Sequence, residues 1–378
     1  MSETIPGNEA VEATQPPLSI EDAKAKFTEY ENATSANNTF CVQDRKYFDG
    51  DQLSSAVRAE LTARGQPLFV NNKIAPAISG ILGLLDAGDS DPQAYPRNPE
   101  GADAADVVTK VLRFLADKTG LQEVLDASSK EFFIEGTCAV IIEGDVDECT
   151  VTDIPWNEFF YDPDSRKHDF KDARYLGFSK MLDADFVATR FPETYKAMGD
   201  PFETDDFVFD GKDDESANTW LDPKRRRLRV VELYYVDGQG VWYHLVYCKN
   251  GFLYAGEVHY VDEDGNNLCP IEAVSYEITR EKERYGVVRN MVPLQDEINA
   301  RRSRALHLIN NRQIRQTSEM GGQTNKALAK QEAARADGAI PFGWEPVPTS
   351  DLSQGQMTLL SQSLQELARL APTPAVLG

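Results

Sequence analysis

One long stretch without Gly or Pro, residues 294–316, constrains the fold more than any other feature of this sequence. Its apolar residues recur at roughly helical intervals, and arginines fall between or beside them. Pro293 suits the first turn of a helix, where its missing N–H is not needed, and Asp296 and Glu297 lie near the positive end of the helix dipole. The pattern predicts a helix of about 23 residues, roughly 34 Å long.

The same part of the chain is basic, whereas the chain as a whole is acidic. Residues 280–316 hold nine Lys or Arg against four acids, while the formal net charge of the 378 residues is −23. A sequence pI near 4.6 argues against a generic nucleic-acid surface, because such proteins usually carry basic faces. Any contact with a DNA duplex is therefore expected to be local, or the protein guides DNA without binding it tightly. Taken alone, the stretch is also typical of a solvated amphipathic helix whose arginines lie in water.

The first third of the chain is predicted to be mostly helical. Ser19, with Asp22 three residues on, resembles a capping start for a helix over 20–31. Further helices are predicted over 53–63, 74–85, 103–118 and 121–135. In the fourth of these five helices, a buried apolar stripe is expected, formed by Val107, Val108, Val111, Leu112 and Leu115.

From residue 138 the pattern indicates short strands. They are predicted over 139–142, 149–153, 158–161 and 175–181, followed by a helix over 182–190. Strands over 230–236, 241–248 and 252–260 form a meander, and Asn250-Gly251 predicts a tight hairpin turn with positive φ at both residues. The acidic residues 200–222 are read as a surface loop, and residues 262–267 as a plain turn rather than a calcium loop.

Beyond the basic helix, residues 317–350 read as a small module. A short helix near 325–335 is followed by extended segments over 339–348 that prolines interrupt. A last helix is predicted over 352–370, with one face formed by Leu360, Leu364, Leu367 and Leu370.

No catalytic constellation stands out, so we expect no enzyme, no cofactor and no metal site. The sequence contains no GxxxxGK[ST] phosphate loop, and its four histidines show no HExxH spacing. Asp162 and Asp164 are read as turn residues beside a proline. Five scattered cysteines fit reduced thiols better than a disulfide framework. The longest uncharged apolar-rich run, 74–85, is too short to span a bilayer, so no membrane partner is expected.

Three segments of the basic region carry a resemblance to a known family. They are Tyr285-Gly286-Val287-Val288-Arg289, Gln295-Asp296-Glu297-Ile298-Asn299 and Arg302-Ser303-Arg304-Ala305-Leu306. This set resembles the signature of tailed-phage portal proteins, in particular the P22-like group. The resemblance implies an α+β portal-type fold with a mixed helical and β wing, a two-helix stem and a small α/β clip.

The resemblance also implies a domain order. Residues 1–17 would form a disordered tail and 18–284 the wing, helical over 18–137 and β-rich over 138–284. Residues 285–316 would form the first stem helix, 317–350 the clip and 351–370 the second stem helix. Residues 371–378 would approach the tunnel loop, and the chain is expected to be truncated there.

The function implied by the resemblance is that of a portal vertex subunit. It would form a homo-oligomeric ring, a dodecamer, that conducts double-stranded DNA without sequence specificity during packaging and ejection. Its other partners would be the large terminase subunit, a head-tail adaptor protein, and the major capsid and scaffolding proteins. Its location would be the virion portal vertex, and the host cytoplasm during assembly.

Two groups of residues are expected to carry these contacts. Candidates for inter-subunit or DNA-channel contacts in the stem are Arg301, Arg302, Arg304, Arg312 and Arg315. Candidates for terminase or adaptor docking in the clip are Ile340, Phe342, Trp344, Glu345 and Val347.

Two other classes of function stay open at this point. One is a metal-dependent hydrolase, which would require Asp162, Asp164 or neighbouring acids to converge. The other is a monomeric nucleic-acid-binding module that uses the basic run 224–227 together with the helix carrying Arg301 to Arg315. In so acidic a chain, that basic run is more often paired with neighbouring acids.

Overall fold

The computed structural model describes residues 18–87, 92–96, 98, 101–144, 148–199, 201–202, 220–262, 265–310, 314–317, 323–333, 338–347 and 350–370. The chain divides into two compact units. Unit 1 comprises Met1–Phe40 and Asp89–Gly286, and unit 2 comprises Cys41–Gly88 and Val287–Gly378. Helices and strands occur in both units, so the predicted α+β class is confirmed.

The helices of the described residues are α1 (Ile20–Asp49), α2 (Ser55–Ala63), α3 (Ile74–Ala87), α4 (Ala102–Thr119), α5 (Leu121–Ile134), α6 (Ala184–Arg190), α7 (Pro192–Met198), α8 (Val287–Asn310), α9 (Gln323–Ala333) and α10 (Ser350–Leu370). The strands are β1 (Thr137–Gly144), β2 (Cys149–Ile154), β3 (Phe159–Tyr161), β4 (Tyr175–Asp183), β5 (Leu221–Asp222), β6 (Arg227–Val236), β7 (Trp242–Tyr247), β8 (Phe252–Glu257), β9 (Ile271–Ser275), β10 (Glu277–Ile278), β11 (Arg284–Tyr285), β12 (Ile314–Gln316) and β13 (Trp344–Pro346).

Unit 1 is built around two antiparallel sheets. The larger has the order β3-β4-β6-β7-β8, with β5 paired to β6, and the smaller has the order β2-β1-β9. One hydrophobic core joins both sheets, because side chains of β1, β2 and β9 cluster with those of β3, β4, β6 and β7. Phe27 of α1 enters this core and meets the ring of Phe160 edge-on at 5.0 Å. A second cluster packs α6 against β5, β6 and β8, so the larger sheet is buried over much of its area.

Helix α1 starts where the sequence predicts and ends much later. The Ser19 hydroxyl accepts a hydrogen bond from the N–H of Asp22 at 3.1 Å and donates one to its carboxylate at 2.8 Å. The first of these bonds is the one expected of an N-cap residue, and the second joins the two side chains. The predicted end at residue 31 is wrong, since α1 continues to Asp49. Polar side chains such as Thr34 and Asn37 are buried along the extension, which conceals its helical periodicity.

The apolar stripe predicted to be buried on α4 is largely exposed. Val107 is 60% exposed, Val108 47%, Val111 50% and Leu112 39%, while Ala105 is the buried residue of this helix. Periodicity correctly identified an apolar side of α4, but it carries no information about what covers that side. The prediction of burial was therefore wrong for the described residues of this chain.

The meander of β6, β7 and β8 is confirmed, but its second turn differs from the prediction. Cys248 N–H donates to the Gly251 carbonyl at 3.0 Å, and the register shifts between Val246 and Tyr247. Neither Asn250 nor Gly251 has a positive φ, so the turn is not the predicted two-residue type. A Cβ at Gly251 would lie 3.0 Å from the Met198 sulfur, so close packing against α7 favours glycine there.

Unit 2 combines helices from two distant parts of the sequence with a small two-stranded sheet. Helices α8 and α10 pack against each other, and α3 also contacts α8. Strands β12 and β13 pair in antiparallel register, with Arg315 opposite Glu345. The face of α10 that is buried comprises Leu360, Ser363 and Leu367. Leu364 is half-buried and Leu370 is 43% exposed, so the predicted leucine face is confirmed only in part.

Candidate functional site

The basic helix α8 differs at both ends from its prediction. It spans Val287–Asn310 instead of 294–316, and Pro293 lies inside it. Val287, Val288 and Met291 are buried, and burial of such side chains stabilises by about 1.5–3 kcal/mol each. Together they outweigh the roughly 3 kcal/mol that an internal proline costs. At the other end, the predicted helix included residues 314–316, which instead form strand β12.

Two buried amide side chains of α8 hold an extended segment of unit 2, and we call Gln295 and Asn299 the amide clamp. Gln295 Oε1 accepts a hydrogen bond from Lys73 N–H at 3.0 Å, and its Nε2 donates to the Asn71 carbonyl at 2.9 Å. Asn299 Oδ1 accepts from Asn71 N–H at 2.9 Å and from Gln295 Nε2 at 3.1 Å. Asn299 Nδ2 donates to Gln52 Oε1 at 2.7 Å. The clamp thus satisfies backbone groups that would otherwise be buried without partners.

The spacing of the clamp explains part of the sequence signature. Gln295 and Asn299 are four residues apart, so they lie on one face of α8, and they are 0% and 3% exposed. One turn on, the Ser303 hydroxyl donates to the Pro67 carbonyl at 2.5 Å. This role was not predicted from the sequence, because the backbone groups that the two amides bind lie more than 200 residues away and leave no pattern near Gln295 or Asn299.

Two further polar contacts join α8 to the end of α1 within unit 2. Arg289 Nε donates to Asp44 Oδ2 at 2.9 Å, and the Tyr47 hydroxyl donates to Asp296 Oδ1 at 2.6 Å. Burial raises the pKa of Asp44 to about 6, although the Arg289 guanidinium opposes that change. Burial and the Asp296 carboxylate raise the pKa of the Tyr47 phenol. These side chains are therefore committed to packing α8 rather than to an external ligand.

The predicted arginines fall into different environments. Arg301 Nε donates to Glu297 Oε1 at 2.6 Å, and Arg301 Nη1 lies 3.5 Å from Gln356 Oε1 of α10. Arg302 is exposed and its guanidinium lies 4.8 Å from the centre of the Phe69 ring, while Arg304 is exposed. Arg315 pairs with Glu345 at 3.3 Å across β12 and β13. Arg312 lies outside the described residues.

The predicted docking residues lie on and beside β13. Phe342 is 87% exposed in the turn before the strand, and Glu345 is exposed. Ile340, Trp344 and Val347 are half-buried. One edge of β13 is paired with β12, and among the described residues its other edge has no strand beside it.

The comparison with protein families decides the identity of the chain. A model of the phage P22-like portal protein family matches residues 24–239 and 237–378. The chain belongs to this family. No curated protein matches it. Membership supports a phage portal role in genome packaging and head-tail connection, within an oligomeric ring at a capsid vertex that associates with capsid and terminase.

The portal signature also depends on a close backbone contact inside unit 1. A Cβ at Gly286 would lie 2.4 Å from the Phe133 carbonyl oxygen and 2.6 Å from that of Ile134. Next to it, the Arg284 guanidinium is 1% exposed, lies 3.9 Å from the Phe170 ring centre and donates to the Lys167 carbonyl at 3.0 Å. Glycine at 286 is therefore a packing requirement, and the buried arginine fixes the adjoining loop.

The residues considered for hydrolase chemistry, Asp162 and Asp164, form hydrogen bonds and ion pairs inside unit 1. Asp162 is 1% exposed and accepts hydrogen bonds from Arg174 Nε at 2.7 Å and from the N–H of Asp164 at 3.0 Å. Burial alone would raise the pKa of Asp162, but these hydrogen bonds outweigh it and lower the pKa. Asp164 is exposed and pairs with Lys282 at 2.5 Å. Among the described residues, no three His, Cys, Asp or Glu side chains are placed to hold a metal ion.

Of the basic run 224–227, residues 224–226 lie in the exposed turn between β5 and β6, and Arg227 begins β6. The Arg227 guanidinium pairs with Asp183 at 2.8 Å, and that of Arg226 lies 5.2 Å from the Phe202 ring centre. The expected pairing with neighbouring acids is thus present for Arg227. In the part of the chain that the structure describes, no helix has the length and apolar character that a membrane span requires.

Proposed function

We propose that this chain is the subunit of a ring-shaped portal, a dodecamer, that conducts double-stranded DNA during packaging and ejection. Residues 18–284 would form the wing, helical over 18–137 and β-rich over 138–284. Residues 285–316 and 351–370 would form the stem, and 317–350 the clip. Residues 1–17, predicted as a tail, and 371–378, predicted as the approach to the tunnel loop, lie outside the described residues. The proposal rests chiefly on one observation: in a chain of the portal family, α8 packs along α10, and a small α/β module separates them in the sequence.

The net charge of the chain supports a conduit that does not bind DNA tightly. Duplex DNA carries one negative charge per roughly 1.7 Å of its axis, so a strongly basic channel would bind it tightly and slow its movement. A ring of chains with a net charge of −23 each repels the duplex instead. Glu297 and Glu345 neutralise Arg301 and Arg315, which leaves Arg302 and Arg304 as the better candidates for phosphate contact.

The exposed turn before β13 supports a docking role for the clip. Phe342 exposes 87% of its surface there, beside the exposed Glu345, and exposed aromatic residues are enriched at protein interfaces. The large terminase subunit would dock on this clip during packaging and supply energy from ATP hydrolysis. A head-tail adaptor would replace it afterwards. The major capsid and scaffolding proteins would contact the ring at the vertex.

Native mass spectrometry and negative-stain imaging of the purified chain test the ring directly. We expect a closed assembly of about a dozen copies with a central channel. A chain that stays monomeric across the micromolar concentration range would contradict the proposal.

Duplex binding distinguishes a conduit from a nucleic-acid-binding module. Fluorescence anisotropy with a labelled 30-base-pair duplex should show weak binding at 150 mM salt. The alternative module would use Lys224–Arg227 and the arginines of α8. It predicts tight duplex binding whose affinity falls steeply with salt. It also predicts that Arg302→Gln and Arg304→Gln each weaken this binding. The latter result in a monomeric chain would favour the module over the portal.

A further inference from the structure

The exposed face of α4 is an apolar surface that the described residues of unit 1 leave uncovered. Val107, Val111 and Phe114 are spaced so that they stack on one side of the helix over two turns, and Phe114 is 64% exposed. Val108 and Leu112 lie beside them. The N-terminal end of this face continues into a shallow depression of about 520 Å³, lined by Ala104, Val108 and the side chain of Tyr95, which is 80% exposed.

The size of this surface indicates a protein contact. With fully exposed aromatic side chains at 150–250 Å² and aliphatic ones at about half that, the five side chains and Tyr95 leave roughly 500 Å² of apolar surface in water. The largest apolar patch of a typical monomer is roughly 300–600 Å² and is often functional, so a patch of this size is a candidate interaction surface. One partner of a standard interface buries about 800 Å², so this face would supply more than half of one side.

The charge around the face favours a second copy of this chain as its occupant. Two chains of net charge −23 repel each other, so a contact between copies is favoured only where charge is locally balanced. Helix α4 meets that condition, since its 18 residues carry three acids and three bases. The bases lie at positions 110, 113 and 118, and the acids at 103, 106 and 117. An apolar surface with such a balanced rim does not favour DNA phosphates, but it fits an interface with a polar rim.

We propose that this face, Val107, Val108, Val111, Leu112 and Phe114 together with Tyr95, is buried against the neighbouring copy in the assembled ring. The inference rests on the proposed ring and names a surface for it. In a cyclic ring each interface joins two different surfaces, so α4 of one copy meets a surface other than α4 on the next.

The test compares Val111→Gln with the control Val57→Gln, which makes the same substitution at a 40% exposed position of α2, outside this face. Sedimentation velocity and native mass spectrometry would measure assembly of each full-length variant. Val111→Gln removes apolar contact and buries an amide, so it should raise the concentration at which half the chain is assembled at least tenfold. Val57→Gln should change it less than twofold. Because Val111 is half-exposed within the chain, both variants should keep the wild-type unfolding midpoint.

Hydrogen exchange provides a second measurement that does not depend on a substitution. Peptides covering α4 should exchange at least tenfold more slowly in the assembled wild-type protein than in the diluted, dissociated protein, while peptides from buried β6 should exchange equally in both. If the wild type forms rings but α4 exchange is the same in both states, or Val111→Gln assembles normally, the inference is wrong and the portal proposal stands. If the wild type never assembles, both are contradicted. Protection of α4 at every concentration would instead indicate cover by another segment of the same chain, which also overturns the inference.

Discussion

Replacing Glu143 with Gln should stabilise unit 1, and more at alkaline than at acidic pH. Glu143 of β1 is 8% exposed, and the nearby Glu232 carboxylate of β6 is 5% exposed and lies 3.3 Å from His244 Nε2. Burial, and then repulsion by Glu232, raise the pKa of Glu143 from its ordinary value of 4.5 to about 7. Lys180 and Arg190 oppose this change without cancelling it.

The sign and size of the effect follow from proton linkage. Between pH 4.5 and 7 the folded protein keeps the Glu143 proton that the unfolded chain has released, so the free energy of unfolding falls as pH rises through this window. At 1.36 kcal/mol per pKa unit, the loss is complete above pH 7 and amounts to about 3 kcal/mol. Gln resembles the protonated acid and cannot ionise. Glu143→Gln should therefore stabilise by about 3 kcal/mol at pH 8.5 but by only about 1 kcal/mol at pH 5.5.

Urea unfolding at these two pH values, followed by tryptophan emission, measures this difference of about 2 kcal/mol. Trp156, Trp220 and Trp242, three of the four tryptophans, belong to unit 1, and pH 5.5 stays clear of the pI near 4.6. Glu272→Gln, at an exposed position of neighbouring β9, is the matched control and should have the same small effect at both pH values. Equal stabilisation by Glu143→Gln at both pH values, or destabilisation at pH 8.5, would refute the reasoning.

Two further substitutions test the packing of the portal signature. Gln295→Leu would leave backbone amide groups of the clamped segment without partners, so it should destabilise unit 2 by about 2–4 kcal/mol in chemical unfolding. The control Gln354→Leu, on the exposed side of α10, should destabilise by less than about 0.5 kcal/mol. Similar losses in both would contradict the role of the clamp. Gly286→Ala places a Cβ against fixed carbonyl oxygens and should lower the thermal midpoint by more than about 6 °C or prevent soluble expression. Gly83→Ala, in a helix with no atom within 4 Å of the new Cβ, should instead stabilise by about 0.5–1 kcal/mol; a stable Gly286→Ala protein would show that the backbone there can move.

Local sequence patterns predicted most elements of this fold. The bounds of α2 to α5 agree with their predictions within about two residues, because each is short, periodic and flanked by turn residues. The meander of β6 to β8 follows in the same way from alternation and turn composition. The pairing of α8 with α10 agrees with the helix order expected of the family, although α8 begins seven residues earlier than predicted.

The remaining features depend on contacts that a local pattern does not encode. Pro293 indicated a helix start, but burial of Val287, Val288 and Met291 extends α8 past it. Asn37 is polar, yet its amide is buried and donates to the Arg284 carbonyl at 2.7 Å. The amide clamp was unpredictable for the same reason, since glutamine and asparagine give no periodic signal. Among the predicted site residues, Arg301 pairs with Glu297 of the same helix, a contact that was not predicted from the sequence.

The two parts of the chain that the amide clamp joins are synthesised at different times. Asn71 and Asn299 are 228 positions apart in the sequence. At about 5–20 residues per second, the Asn71 backbone is therefore synthesised roughly 10–45 s before its partner. During that interval the nascent residues 41–88 lack the helix that completes their hydrogen bonds, while nearly all of unit 1 emerges and is free to fold. Infected cells would meet this exposed intermediate in every copy they make, so slower translation or a missing chaperone should reduce the yield of soluble subunit before any assembly step begins.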